Sequence, residues 1–241
     1  MKPKRRIVVP RRAFRYPYQV LRLTESNTRA LLTQPESGMG YQVVEATLSD
    51  DKSKRGVAYN AELLLFEEEP RRIMLSTPYL RLLEAATSAA GEIKSLRVIS
   101  RATVSTLSVR EPSGAAVQKK AGPAKDGPKE KTKTDEVFKR FSAYPNDRRV
   151  ASDGSLLAGT YATTEEDAKN VKTGKDAVAR YALPNPAPAS NVFTIRPNKD
   201  TDIQRGIVEP AFGQPGGGVE VIFTNGTQPK TVAGPTKIPD E

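Results

Sequence analysis

The stretch FGQPGGGVEVIF, residues 212–223, sets a glutamine, three consecutive glycines and one carboxylate at the head of an apolar run. Pro215 and the glycines 216–218 make a turn that no side chain obstructs, so a ligand or another strand can approach the backbone closely. Beyond it, alternation puts Val219, Val221 and Phe223 on one strand face and Glu220 with Ile222 on the other. Glu220 is then either a fixed carboxylate that stabilises a developing cation or a solvent-facing residue of a plain hairpin. Two further stretches carry candidate chemistry. In VFKRFS, Arg140 lies between Phe138 and Phe141, where it either snorkels to the surface or turns its planar fork inward to a phosphate. In TYATTEEDAKNV, Tyr161 and Ala162 end a strand, and Thr163 or Thr164 caps a helix whose first turn holds Glu165, Glu166 and Asp167. Gly174 is expected to close that helix.

Composition narrows what these residues can do. The 241-residue chain has no cysteine and no histidine. A thiol nucleophile, a disulfide framework, a Cys/His zinc site and a Ser–His–Asp triad are therefore excluded. Acid–base steps fall to Asp, Glu, Lys, Tyr or water. A carboxylate-only Mg2+ or Ca2+ site stays open, but no acidic cluster has calcium-loop spacing. No apolar run is long enough to span a membrane, and no apolar segment follows the N-terminal charges as in a secretory signal.

The elements that must position the candidates divide unevenly. Residues 111–134 are rich in Lys, Gly, Pro, Ala and Thr and read as a flexible linker between two small domains, 1–110 and 135–241. The first domain carries 19 Lys and Arg against 11 Asp and Glu, the linker 6 against 3, and the last domain 13 against 14. The basic charge thus belongs to the first half and the linker. In that half, residues 18–23, 40–48, 56–66 and 96–109 read as strands, and 76–91 as a helix. An arm over residues 1–19 mixes Arg5, Arg6, Arg11, Arg12 and Arg15 with Phe14, Tyr16 and Tyr18, a composition that suits nucleic acid. It equally suits a solvated arm or one docked on an acidic protein. The fold class expected is α+β.

The order of an Arg on an early strand, an aromatic-x-Thr-Thr segment and a late glycine-flanked strand with one Glu resembles the ADP-ribosyltransferase-fold toxins. The run IVEPAFGQPGGGVEVIF is also similar to the closing segment of necrotizing-toxin type NAD glycohydrolases, and KRF to their early Arg-Phe. This resemblance spans roughly residues 135–225. It implies a mostly antiparallel, split β-sheet core with few helices, and NAD as substrate without a metal. It further implies that Arg140 holds the NAD diphosphate and that Tyr161, Thr163 and Thr164 line the nicotinamide site. Gln214 would position the nicotinamide ribose, Gly216 and Gly217 would pass the nucleotide, and Glu220 would be the catalytic carboxylate. The chain departs from the pattern in two places. It lacks the pocket histidine of the necrotizing-toxin enzymes, and Gly218 stands where transferases place Gln or Glu two residues before the catalytic Glu.

The function expected is a bacterial toxin or effector that cleaves the nicotinamide–ribose bond of NAD+, by hydrolysis or ADP-ribosyl transfer. Residues 1–110 would serve delivery or docking, to a secretion or injection apparatus or an immunity protein. Such a protein would reside in the bacterial cytoplasm before export into a target cell by a non-classical route. The alternative is a non-enzymatic, nucleic-acid-associated or structural protein that works through its basic arm.

Overall fold

The computed structural model describes residues 20–66, 86–88, 90–99, 122–184 and 187–241. The basic arm and most of the helix expected at 76–91 lie outside these residues.

Strand β1 (Val20–Arg22) leads into α1 (Glu25–Leu32). Thr24 caps α1 by accepting from the Asn27 amide, while the Asn27 side chain returns to the Thr24 amide, so two of the orphan donors of the first turn are satisfied. Strands β2 (Tyr41–Leu48), β3 (Ser53–Tyr59) and β4 (Leu63–Phe66) follow as a meander, then β5 (Thr87–Ser88) and β6 (Ile93–Val98). They form one sheet in the order β5-β1-β4-β3-β2-β6, antiparallel except for the β1–β5 pair. The single strand expected over 56–66 is a hairpin. Asn60 and Ala61 take left-handed φ values of 50° and 48° and turn the chain back, a conformation Asn tolerates better than most residues. The C-terminal end of the expected 76–91 helix is also corrected, because Thr87 and Ser88 pair in parallel with Leu21 and Arg22. The expected 96–109 strand begins earlier, at Ile93, and the described residues follow it to Ile99.

The second sheet comprises β7 (Lys129–Lys131), β8 (Phe138–Ser142), β9 (Thr160–Thr164), β10 (Asn191–Ile195), β11 (Asp202–Ile207), β12 (Val219–Phe223) and β13 (Val232–Lys237). Their order is β13-β10-β8-β9-β12-β11-β7, with every pairing antiparallel. Two short helices, α2 (Glu165–Ala168) and α3 (Gly174–Arg180), follow β9. Thr164, not Thr163, caps α2. Gly174 opens α3 behind the Thr173 cap rather than closing α2, because its missing side chain leaves room for Pro188 and Ser190. The described architecture is thus mostly antiparallel β with few, short helices.

The linker expected over 111–134 differs from Gly122 onward. Ala124–Asp126 form a 3-10 turn, and Lys129–Lys131 pair with Gln204–Asp202 as an edge of the second sheet. A strand edge is held by backbone groups, so a low-complexity sequence can supply it. Gly206 lets this segment close on the sheet, since a Cβ there would lie 2.2 Å from the Ala124 nitrogen.

One hydrophobic cluster belongs to both sheets. Tyr41, Val43, Val57, Tyr59 and Leu65 from the first pack with Phe141, Tyr161, Tyr181, Leu183 and Ile222 from the second. The sheets also keep private cores: Leu21, Leu31, Val44 and Leu64 in the first, and Phe138, Ala162, Val221 and Phe223 in the second.

Candidate functional site

Arg140 is 0% exposed, so β8 carries a guanidinium into the interior. Desolvating a charge is costly unless it is paired and hydrogen-bonded, and here both conditions are met. Asp147 takes one edge of the fork, from Nε at 3.0 Å and Nη2 at 3.1 Å. Glu36, from the loop after α1, takes the end of it, from Nη1 and Nη2 at 2.9 Å each. Nη1 also donates to the Tyr161 carbonyl at 2.7 Å. Glu36 in turn accepts from the amides of Gly40 (3.0 Å) and Tyr161 (2.9 Å), with Arg149 Nε 3.8 Å away. Arg149 donates to the carbonyls of Gln34, Leu31, Leu32 and Ala158. The knot holds two arginines and two carboxylates. Burial works against the Arg140 charge, but Asp147 and Glu36 hold it more firmly protonated than an ordinary arginine. Burial likewise raises the Asp147 carboxyl, and Arg140 with the Arg149 amide brings it below the usual range. For Arg149 burial dominates and lowers its affinity for the proton.

The glycine run serves the chain's own packing at two of its three positions. A Cβ on Gly216 would lie 2.6 Å from the Val208 carbonyl oxygen, and one on Gly218 would lie 2.7 Å from the Tyr181 ring. The Gly216 and Gly218 amides donate to the Ala179 and Arg180 carbonyls, tying the turn to the end of α3. Gly217, at φ +90°, has nothing within 4 Å of where its side chain would be. It alone of the three has open space on its side-chain side, while its amide donates to the Val208 carbonyl at 2.8 Å. Gln214 closes a tight turn by exchanging backbone bonds with Ala211, and Phe212 in that turn meets the Tyr41 ring edge-on at 5.3 Å.

Strand pairing brings the remaining candidates together. Ile222 lies opposite Tyr161, and Val221 opposite Ala162. Thr163 donates to the Val219 carbonyl at 2.8 Å, beside Glu220. The Glu220 carboxylate is buried, and its Oε1 accepts from the Ala124 amide at 2.8 Å. Thr164 is spent on its cap. Arg140 reaches this group through the Tyr161 backbone, whereas Gln214 and Gly216 sit at the far end of the turn.

Asp167, expected only as a charge in the first turn of a helix, is the centre of a second polar cluster. Its carboxylate accepts from Arg180 Nε at 2.9 Å and Nη2 at 2.5 Å, from the Tyr181 hydroxyl at 3.1 Å and from Thr163 at 3.3 Å. Burial raises its proton affinity, but the bonds from Arg180, the Val219 amide and Tyr181 bring it below the ordinary range. Tyr181, stacked on Phe141 at 5.5 Å, has its phenol pushed up chiefly by burial. Asp167 lies in α2 and Arg180 ends α3, and the sequence reading, which closed the first helix at Gly174, placed no second helix to bring Arg180 back to it.

Between the sheets lies a cavity of about 410 Å³, within the range of small-molecule sites. Tyr161, Ile222, Gln204 and Thr224 line it from the second sheet, Glu36 and Ile99 from the first half, and Lys125 from the segment that caps Glu220. Among the described residues no cluster of three or more metal-ligating side chains occurs, and no helix is long and apolar enough to cross a membrane.

No protein-family profile and no curated sequence matches the chain. A solved structure similar to part of it is that of Tne2 in complex with Tni2, with a TM-score of 0.37 and 18% identity over 48% of this chain and 95% of that one.

Proposed function

We propose that the second sheet and its helices cleave the nicotinamide–ribose bond of NAD+, and that the protein is a bacterial toxin or effector. The observation that supports this most is the pairing of the strand TYATT with the strand VEVIF, because it puts Tyr161 and Thr163 on the strand beside Glu220, and Tyr161 with Ile222 of these two strands lines a ligand-sized cavity. In this reading the nicotinamide packs near Tyr161 and the nucleotide passes the open side of Gly217. The C–N bond breaks with its electron pair going to the pyridinium nitrogen, so nicotinamide leaves neutral and the ribose carbon becomes cationic. A pre-set carboxylate stabilises that cation more than the ground state, which is what lowers the barrier. Water then attacks the ribose carbon and loses a proton, giving ADP-ribose; a nucleophile on a macromolecule in place of water gives transfer. Glu220 is the carboxylate assigned, and the Ala124 amide fixes it. The first half serves docking or delivery, and an immunity protein is the partner expected.

The test is release of free nicotinamide from NAD+ by the full chain. Glu220→Gln is expected to slow it about 100-fold or more while the fold is retained. Equal, measurable rates for wild type and Glu220→Gln would remove Glu220 from the site.

A further inference from the structure

The end-on edge of a guanidinium presents two parallel N–H groups that match the oxygens of a carboxylate or a phosphate equally well. On Arg140 that edge is occupied by Glu36, from the other half of the chain, with both bonds at 2.9 Å. Asp147, on the same half as Arg140, uses the side edge and would keep the fork oriented without Glu36. The charge count points the same way. Arg140 and Arg149 balance Glu36 and Asp147, so withdrawing Glu36 leaves a buried pocket with one surplus positive charge. The same withdrawal takes the Glu36 acceptor from the Tyr161 amide, a donor aimed at the vacated position. Glu36 also lines the cavity next to Tyr161.

We infer that Glu36 is a built-in occupant of an oxyanion site on Arg140 and holds the second half latent until the first half shifts. The ligand class is a diphosphate, and its assignment to NAD rests on the reading under Proposed function. The latch itself rests only on the geometry of the knot. When Glu36 departs, a diphosphate takes its place on the end edge of Arg140 and the Tyr161 amide, and Asp147 stays.

The experiment follows thermal unfolding of the full chain in a series of inorganic pyrophosphate, at constant ionic strength, for wild type, Glu36→Gln and Glu36→Gln/Arg140→Met. A ligand that binds the folded state raises the midpoint with its concentration. Glu36→Gln is expected to be less stable than wild type but to gain several degrees from pyrophosphate beyond any gain shown by the double variant. A folded Glu36→Gln protein that gains no more than the double variant overturns the latch. Should Glu36→Gln not fold, wild type still decides. Hydrogen exchange at the Tyr161 amide, now bonded to Glu36, is expected to change as pyrophosphate competes for Arg140, and exchange independent of pyrophosphate overturns the proposal. The failures separate cleanly. Pyrophosphate binding by Glu36→Gln without nicotinamide release sustains the latch and removes NAD as the substrate.

Discussion

Ala124 and Glu220 are 96 residues apart in the chain, yet the amide of the first donates to the carboxylate of the second at 2.8 Å. The candidate catalytic carboxylate is therefore positioned by the segment that joins the two halves. A glutamine at 220 keeps a carbonyl oxygen for the Ala124 amide, whereas an alanine strands that donor in a buried place. Urea unfolding of Glu220→Gln should show a loss of about 1 kcal/mol or less, and Glu220→Ala a loss of about 1–3 kcal/mol. Equal losses would mean that the bond contributes nothing to the fold.

The knot around Arg140 is expected to be the most sensitive polar point of the fold. Arg140→Met leaves the buried Glu36 and Asp147 with Arg149, 3.8 Å from Glu36, as the one cation of the knot. Breaking a buried pair in this way costs about 3–5 kcal/mol. Denaturant melts should show that loss, and a double-mutant cycle with Glu36→Gln should give a coupling well above that of an exposed pair such as Arg29 with Glu25.

The pH dependence of stability has a defined sign. Asp147 and Asp167 both hold their carboxyls below the ordinary value in the folded state. Their contribution is present above the unfolded carboxylate pKa of about 4 and is lost as pH falls through the depressed folded values. With no histidine in the chain, the melting temperature should vary little between pH 8 and 5 and drop steeply below about 4. Asp147→Asn should lower stability at pH 7 and flatten the acid limb. An acid limb identical to wild type would deny Asp147 its role.

The glycines of the QPGGG turn should differ from one another. Gly218→Ala drives a methyl into the Tyr181 ring at 2.7 Å and should disturb the Asp167–Arg180–Tyr181 cluster. Gly217→Ala meets no neighbour and should cost only the backbone strain of φ +90°, about 1–2 kcal/mol. Near-ultraviolet circular dichroism of Tyr181 should change in the first variant and not in the second.

Local rules made part of this legible in the sequence. A cap at Thr163 or Thr164, a strand ending at Ala162 and the VEVIF strand follow from short-range patterns; the structure carries the first strand on to Thr164, which is the cap, and pairs the two strands side by side. What escaped were long-range closures. The Phe138 and Phe141 flanks of Arg140 signalled an apolar setting but could not name Glu36, 104 residues away, as its partner. The glycines at 216–218 spoke for close approach, but not that Val208 and Glu209 make it at Gly216 and Arg180 and Tyr181 at Gly218. Residues 122–134 looked unable to fold because composition weighs side chains, whereas their order rests on backbone bonds to β11 and Glu220.

The central claim is tested most directly by incubating the full chain and its Glu36→Gln variant with NAD+ and measuring free nicotinamide against time. Release should be faster from Glu36→Gln than from wild type and nearly abolished when Glu220→Gln is added. No nicotinamide from either folded protein would contradict it.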